Sequence, residues 1–366
     1  MNSHHRPWLI LKHAYLRIAE LQTLLDLYGT ADDIVDQSRS RLLESGLSAE
    51  KCDAIAVPDE KAIGMALDWL EPDRHHLIAW GQDAYPEMFT QIPGPPLALY
   101  VNGSVDALHM PALAVIGSRN PTQGGRRNAH DFSRHLAGRG FAIVSGLAQG
   151  IDTAAHEGAL DAGGKTIAFL GTGIDRVYPA VNRQLAHDIT ENGALVSEYA
   201  LGAPPERWHF PERNRLISGL CLGTVVVEAA RRSGSLITAR LAAEQGREVF
   251  ALPGSIHNAL ARGCHELIRQ GAKLVETAGD ILSELQPLAS HMREIADESV
   301  TKDPAPKEPD DDYAELRKVL SHDPTSIDEL EKKSGLTIDQ LSSMLLILEL
   351  HGEVESLSGG RYALTG

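Results

Sequence analysis

Cysteine is scarce in this chain. Its 366 residues hold only Cys52, Cys221 and Cys264, widely spaced and odd in number, which excludes a disulfide frame or a zinc ribbon and fits a reducing cytoplasm. Long hydrophobic runs are missing too, for no stretch approaches the ~18 to 20 apolar residues that cross a bilayer. No membrane partner is therefore expected, and the opening residues Met1 to Trp8 lack the apolar segment of a secretory leader. No metal-ligand pattern accompanies the cysteines, and neither a metal nor a cofactor is expected. What the chain does have is size and apolar content, 366 residues at 43% hydrophobic, enough for two or three domains with real cores.

The negative charge lies at the two ends. A net charge of −16 argues at first against a nucleic-acid partner. Between His76 and Leu288, however, 18 basic and 20 acidic residues nearly cancel, and 16 of those cations are arginine. The flanks hold the remaining 16 cations against 30 acids. The centre is thus an arginine-rich, nearly neutral region compatible with a local positive groove.

Hydrophobic periodicity divides the chain. Residues 1–75 read as a small helical module: residues 16–28 have helical spacing and stop at Gly29, a residue suited to the C′ position, and residues 41–46 and 61–70 follow as short helices. A proline-rich connector occupies residues 85–96. Within residues 76–288, short apolar runs at 112–116, 141–144, 166–170, 194–197, 224–227, 248–252 and 273–275 are separated by segments of helical length. Buried parallel strands read this way, so the expected fold class is α/β with a doubly wound, mostly parallel sheet, whose ligands bind outside the carboxyl ends of the strands. Residues 289–312 form an acidic, proline-containing linker. The last domain, residues 313–366, reads as a helix-turn-helix, 326–335 and 337–350, with a wing over 354–364.

The unusual residues cluster after the strands. The first run enters Gly117, Ser118 and Arg119, with a helix-like segment after Thr122. That order puts backbone N–H groups and a helix dipole before an anion, and Arg119 adds a planar fork matched to phosphate oxygens. The alternative is a surface charge on an ordinary turn. After the second run, Asp152 and His156 share one helix face at i and i+4. They read as an acid/base pair or, preferably, as a cap and a polar packing residue, since no serine or cysteine nucleophile elbow accompanies them. Glu228, with no base or metal set nearby, reads as structural. Residues 171–179 either line a ligand crevice or form a turn in which Tyr178 and Pro179 pack.

Residues 207–220 are the densest recognition segment. Arg207, Trp208, Phe210, Arg213, Asn214 and Arg215 interleave cations with ring faces, as a single-strand groove requires, where each stacked base contributes about 1–3 kcal/mol. The alternative is a solvated loop whose aromatics cover the sheet. In residues 231–240, Ser233 or Ser235 caps a helix on either side of Gly234 and presents N–H groups at the sheet edge. Pro253-Gly254 and residues 263–272 complete the rim.

Taken together these segments resemble the DprA (Smf) family of DNA-processing proteins. The resemblance spans roughly residues 80–285 and rests on Tyr85-Pro86, Gly117-Ser118-Arg119, Ser145-Gly146-Leu147-Ala148, Gly150-Ile151-Asp152, Ala155-His156, Tyr178-Pro179, Ser197-Glu198-Tyr199, Phe210-Pro211, Arg213-Asn214-Arg215, residues 233–239 and Leu252-Pro253-Gly254. It implies an extended Rossmann-like fold over residues 76–288, a SAM-like helical domain over 1–75 and a winged helix over 313–366. It further implies binding of single-stranded DNA, a homodimer through the Rossmann-like domain, and help in loading the RecA recombinase onto incoming strands during natural transformation, without an enzymatic reaction. By that match Arg119 clamps a phosphate, and Arg207 and Phe210 meet the strand with Arg213, Asn214 and Arg215 beside them. Gly117, Ser118, Arg183, Ser233, Gly234, Ser235, Thr238, Arg240, Pro253 and Gly254 complete the expected DNA-binding set.

The chain departs from the family pattern in places. Ala180 stands where many members have lysine, with Arg183 a partial substitute, and His265 replaces a common asparagine. Residues 337–350, the recognition helix of the expected winged helix, contain no lysine or arginine, so this domain reads as a protein-contact or structural module. A different class of function is a Rossmann-like nucleotide-phosphate hydrolase, with Glu228 or Asp152 as its carboxylate. A third is a scaffold whose winged helix recruits partners.

Overall fold

The computed structural model describes residues 3–285 and, discontinuously, residues 316–364. The expected linker, residues 289–312, lies outside the described residues. The chain divides into two compact units, residues 1–295 and 296–366.

Helices open the first unit: α1 (Arg6–His13), α2 (Ile18–Tyr28), α3 (Ala31–Val35), α4 (Arg39–Glu44), α5 (Ala49–Ala56) and α6 (Glu60–Trp69). Side chains set where several begin. Thr30, Ser38, Ser48 and Asp59 each accept the backbone N–H three residues on, satisfying a donor that has no partner within the helix. Gly29 stops α2 at φ +97°.

The strands that follow are β1 (His75–Ala79), β2 (Ala98–Gly103), β3 (Ala112–Ile116), β4 (Ala142–Ser145), β5 (Thr166–Phe169), β6 (Ala194–Ser197), β7 (Gly223–Val226), β8 (Glu248–Ala251) and β9 (Lys273–Leu274). They form one nine-stranded sheet in the order β1-β2-β6-β5-β4-β3-β7-β8-β9. From β6 to β9 every pairing is parallel, while β1 with β2 and β2 with β6 are antiparallel. The sheet is the mostly parallel α/β architecture expected, and β3 to β9 are the apolar runs. The β1–β2 pair escapes sequence reading because the long, proline-rich connection between them carries no tight-turn signal.

Alternation along the strands gives the sheet two apolar faces. Leu113, Val115 and Ile143 face α7 (Gln123–Ala137) and α8 (Ile151–Asp161), meeting Ala129, Leu136 and Ala155. On the same side Ala98, Tyr100 and Leu195 share a core with Leu9, Leu21 and Leu24 of the N-terminal helices and with Ile189 of α9 (Arg183–Asn192). Ala114, Phe169 and Val196 point the other way, toward Leu216 of α10 (His209–Gly219), Ala239 of α11 (Ser235–Glu244) and Leu267 of α12 (Arg262–Arg269). One half-buried cation ties α1 to the sheet: Lys12 Nζ donates to Ala98 O at 2.8 Å and to Glu198 O at 2.6 Å. Burial drops its pKa to about 8, against the pull of Glu198. Cys52, Cys221 and Cys264 are buried and unpaired.

In the second unit, β10 (Thr325–Ser326), α13 (Ile327–Ser334), β11 (Val354–Leu357) and β12 (Arg361–Leu364) are described. The strands form an antiparallel sheet in the order β10-β12-β11, so the β11–β12 pair stands where a wing was expected. Of the expected second helix, Leu341, Leu345 and Leu348 are helical and buried; its remaining residues lie mostly outside the described ones. Among the described residues no helix is long and apolar enough to cross a membrane.

Candidate nucleic-acid interface

Arg119, from the β3–α7 loop, and Phe210, from the first turn of α10, meet over the carboxyl edge of the sheet. The β3–α7 loop is seated by Gly150, whose φ is +89° and whose Cβ, were there one, would lie 2.4 Å from Ser118 O and 2.6 Å from Arg119 O. Only glycine permits that backbone crossing. Ile151 N–H donates to Ser118 O at 3.1 Å, and the Ser118 hydroxyl accepts from Asn120 N–H at 3.1 Å. Arg119 leaves this loop exposed, its guanidinium carbon 5.8 Å from the Phe210 ring centroid. Phe210 is half-buried, and a cation over an aromatic ring at the surface contributes about 0.5–1 kcal/mol, enough to orient the arginine.

Phe210 belongs to the first turn of α10 and lies on Gly171, where a Cβ would sit 2.8 Å from the ring. Tyr178 flanks it with centroids 5.6 Å apart and is 49% exposed. The loop after β5 thus sets Tyr178 beside Phe210, a ring face that the expected contact set omitted. An exposed aromatic beside a proline was the available signal. Trp208 is 59% exposed and leans edge-on against Tyr199 at 6.4 Å, with exposed Arg207 next to it. Arg183 is exposed at the start of α9, and Pro253 and Gly254 are exposed after β8, where His265 Nε2 lies 3.0 Å from Gly254 O.

Other residues of the expected set are enclosed or paired within the fold, or lie against another helix. Arg213 points inward: its Nη1 donates to Gly146 O at 3.0 Å and to Phe169 O. Beneath it the Asp152 carboxylate accepts Gly146 N–H at 3.1 Å and Ala148 N–H at 3.3 Å. Burial pushes the Asp152 carboxyl up while Arg213 pulls it down, and burial lowers the Arg213 guanidinium to about 10. These two buried groups hold the β4–α8 loop through its backbone. Arg215 pairs with Glu198 at 2.5 Å, with its side chain only 18% exposed, and Asn214 beside it is half-buried. Thr238 is buried within α11, and Arg240 faces α12, lining a groove with Glu266 and Gln270. Spacing held the warning, since His209, Arg213, Leu216 and Ile217 form the buried stripe of α10.

The helix N-terminus expected to receive an anion already has one. Glu228 is buried, its Oε2 accepting Thr122 N–H at 2.8 Å and its Oε1 accepting the Thr122 hydroxyl at 2.7 Å. A Cβ at Gly125 would lie 2.5 Å from its carboxyl carbon. The carboxylate complements the α7 dipole, the structural role read for it from the sequence. At α11 the Ser233 hydroxyl accepts Ser235 N–H at 3.3 Å and Gly234 occupies the N-cap, with exposed Arg231 and Arg232 just ahead. His156, far from any acid/base role, is fully buried with Nδ1 2.7 Å from the Thr166 hydroxyl. Among the described residues no histidine, cysteine or carboxylate cluster is arranged to hold a metal.

Fold and rim together define a Rossmann-like α/β protein with cations and ring faces on its carboxyl edge, coupled in one chain to a winged helix. The chain belongs to the DprA/Smf family: residues 76–286 match the family model of DNA recombination-mediator protein A, and residues 300–360 match that of the DprA winged helix domain. It is 40% identical over 352 residues to protein Smf of Escherichia coli, covering 94% of each chain. It is 48% identical over 204 residues to the DNA processing protein DprA of Streptococcus pneumoniae, covering 56% of this chain and 72% of that one. The X-ray structure of the Streptococcus pneumoniae protein superposes with a TM-score of 0.67 at 39% identity, over 75% of this chain and 96% of that one. DNA processing protein A from Helicobacter pylori, solved for its single-stranded DNA binding mode, gives 0.53 at 31% identity, over 58% and 96%.

Proposed function

We propose that the chain binds single-stranded DNA across the carboxyl edge of its sheet and acts as a recombination mediator that helps load RecA, as a cytoplasmic homodimer joined through the Rossmann-like region and without a reaction of its own. The observation that carries the reading is Arg119 held over Phe210, with Tyr178 alongside. A guanidinium answers a phosphate and the rings answer unstacked bases, so one rim supplies both halves of what an unpaired strand presents. The single-stranded DNA binding mode named for the Helicobacter pylori relative supports it. Arg207, Trp208, Arg183 and the α11 start extend the same edge. That Glu228 and Asp152, the carboxylates of the hydrolase alternative, each accept a backbone N–H supports a structural role for both.

The test is Arg119→Glu in a titration against a single-stranded oligonucleotide at several salt concentrations. Binding is expected to be lost at moderate salt, and RecA loading with it, while the thermal unfolding curve stays in place. An affinity and salt slope equal to the parent's would overturn the proposal.

A further inference from the structure

From the exposed face of α7 we infer a second DNA contact, a track for the phosphates of the strand after it leaves the rim. This rests on the single-strand reading above and extends its footprint. Between Asp106 and Asp152 the chain carries five arginines, Arg119, Arg126, Arg127, Arg134 and Arg139, against one acid, Asp131. All five arginines are exposed. Asp131 is engaged by His130, whose ring nitrogens lie 3.2 Å from it and 2.8 Å from Asp161. In a chain of net charge −16, that is a strongly segregated surface.

Pairing separates these arginines from others on the surface. Arg6, Arg17, Arg39 and Arg74 each hold a carboxylate within 3.0 Å. Among the described residues, Arg126, Arg127, Arg134 and Arg139 make no ion pair and no side-chain hydrogen bond. Arginine forks with free donors suit a polyanion, although Asp131 and Asp161 line the same groove as Arg134 and Arg139. Arg127 and Arg134 are seven residues apart, two helical turns, so they share one face about 10.5 Å apart along the axis. The helix starts at the N-cap Thr122, three residues past Arg119, and its 15 residues extend about 22 Å. Exposed arginines therefore follow the rim along the flank of the sheet, with Asp131 between Arg127 and Arg134. The occupant is the continuing single strand, favoured over a separate duplex because the track begins at the loop that holds the rim's phosphate clamp.

The test compares two lengths of oligothymidylate on the full chain: about 6 nucleotides, spanning the rim, and about 20, long enough to add the length of α7. The variant is Arg127→Gln with Arg134→Gln. On the long strand its slope of log affinity against log salt is expected to be shallower by about 1.4, two phosphate contacts at about 0.7 each. On the short strand its affinity and slope should match the parent's, and Arg127→Lys with Arg134→Lys should restore the long-strand slope. An unchanged slope on the long strand, or an equal fall on both lengths, overturns the track. Failure of the rim reading looks different: Arg119→Glu would then leave short-strand binding untouched.

Discussion

Buried ionisable groups at this site are structural, and His156 makes that measurable. Enclosure in the core holds its imidazole neutral and lowers its pKa from 6.5 to about 3, with the nearby Arg213 charge adding to the effect. The unfolded chain therefore takes up a proton before the folded one does. The stability due to His156 is complete above pH 6.5 and drains away as pH falls toward 3. Urea unfolding should show the midpoint dropping between pH 7 and pH 4.5, with a smaller drop in His156→Gln; an identical pH dependence in the two would contradict the burial account. Arg213 teaches the complementary lesson. Counted along the sequence it is one of three arginines beside an aromatic, and only its place in the apolar stripe of α10 distinguishes it from a phosphate ligand. Removing Arg213 leaves the buried Gly146 and Phe169 carbonyls without this donor, at about 1–3 kcal/mol for an unsatisfied buried group, so lost DNA binding in an Arg213 variant would report the fold and not a contact.

At the scale of elements, the rim works because strands, loops and helix starts bring distant residues to one edge. Gly171 closes β5 and supports Phe210. Gly171→Ala should lift the ring off its seat and lower oligonucleotide affinity by about 1–3 kcal/mol, the worth of one stacked base, with little change in thermal stability. Parent-like affinity in that variant would mean that Phe210 does not touch the strand. The elements themselves were legible where burial is two-sided: β3 to β7 read as apolar runs because a parallel strand covered on both faces has no polar alternation. The β1–β2 pair was not legible, since its long connection hides a hairpin. Direction was the harder matter. A sequence places Arg207, Arg213 and Arg215 side by side, but the helical period sends Arg213 into the core and Arg215 to Glu198, leaving Arg207 on the surface. Equally, Glu228 lies far along the chain from Thr122, and nothing local announces that its carboxylate will fill the α7 terminus.

For the whole molecule, charge is divided between parts with different work. The arginine-rich sheet region carries the proposed strand contacts, whereas the expected recognition helix, residues 337–350, has no lysine or arginine. Deleting residues 313–366 should leave oligonucleotide affinity within about twofold while impairing whatever partner recruitment the winged helix provides; a tenfold loss of affinity would place that domain on the DNA. The Glu228 carboxylate has one more consequence. Rossmann-like folds that hold mononucleotides lodge a phosphate at such a helix start, and in this protein that berth is filled from within. A solitary nucleotide meets repulsion there and has too few charges to exploit cations spread along the edge, so millimolar ATP should fail to displace a bound oligonucleotide in competition titrations. Amid the cell's abundant free nucleotides, the proposed selectivity for polymer over monomer would thus rest in part on one internal side chain.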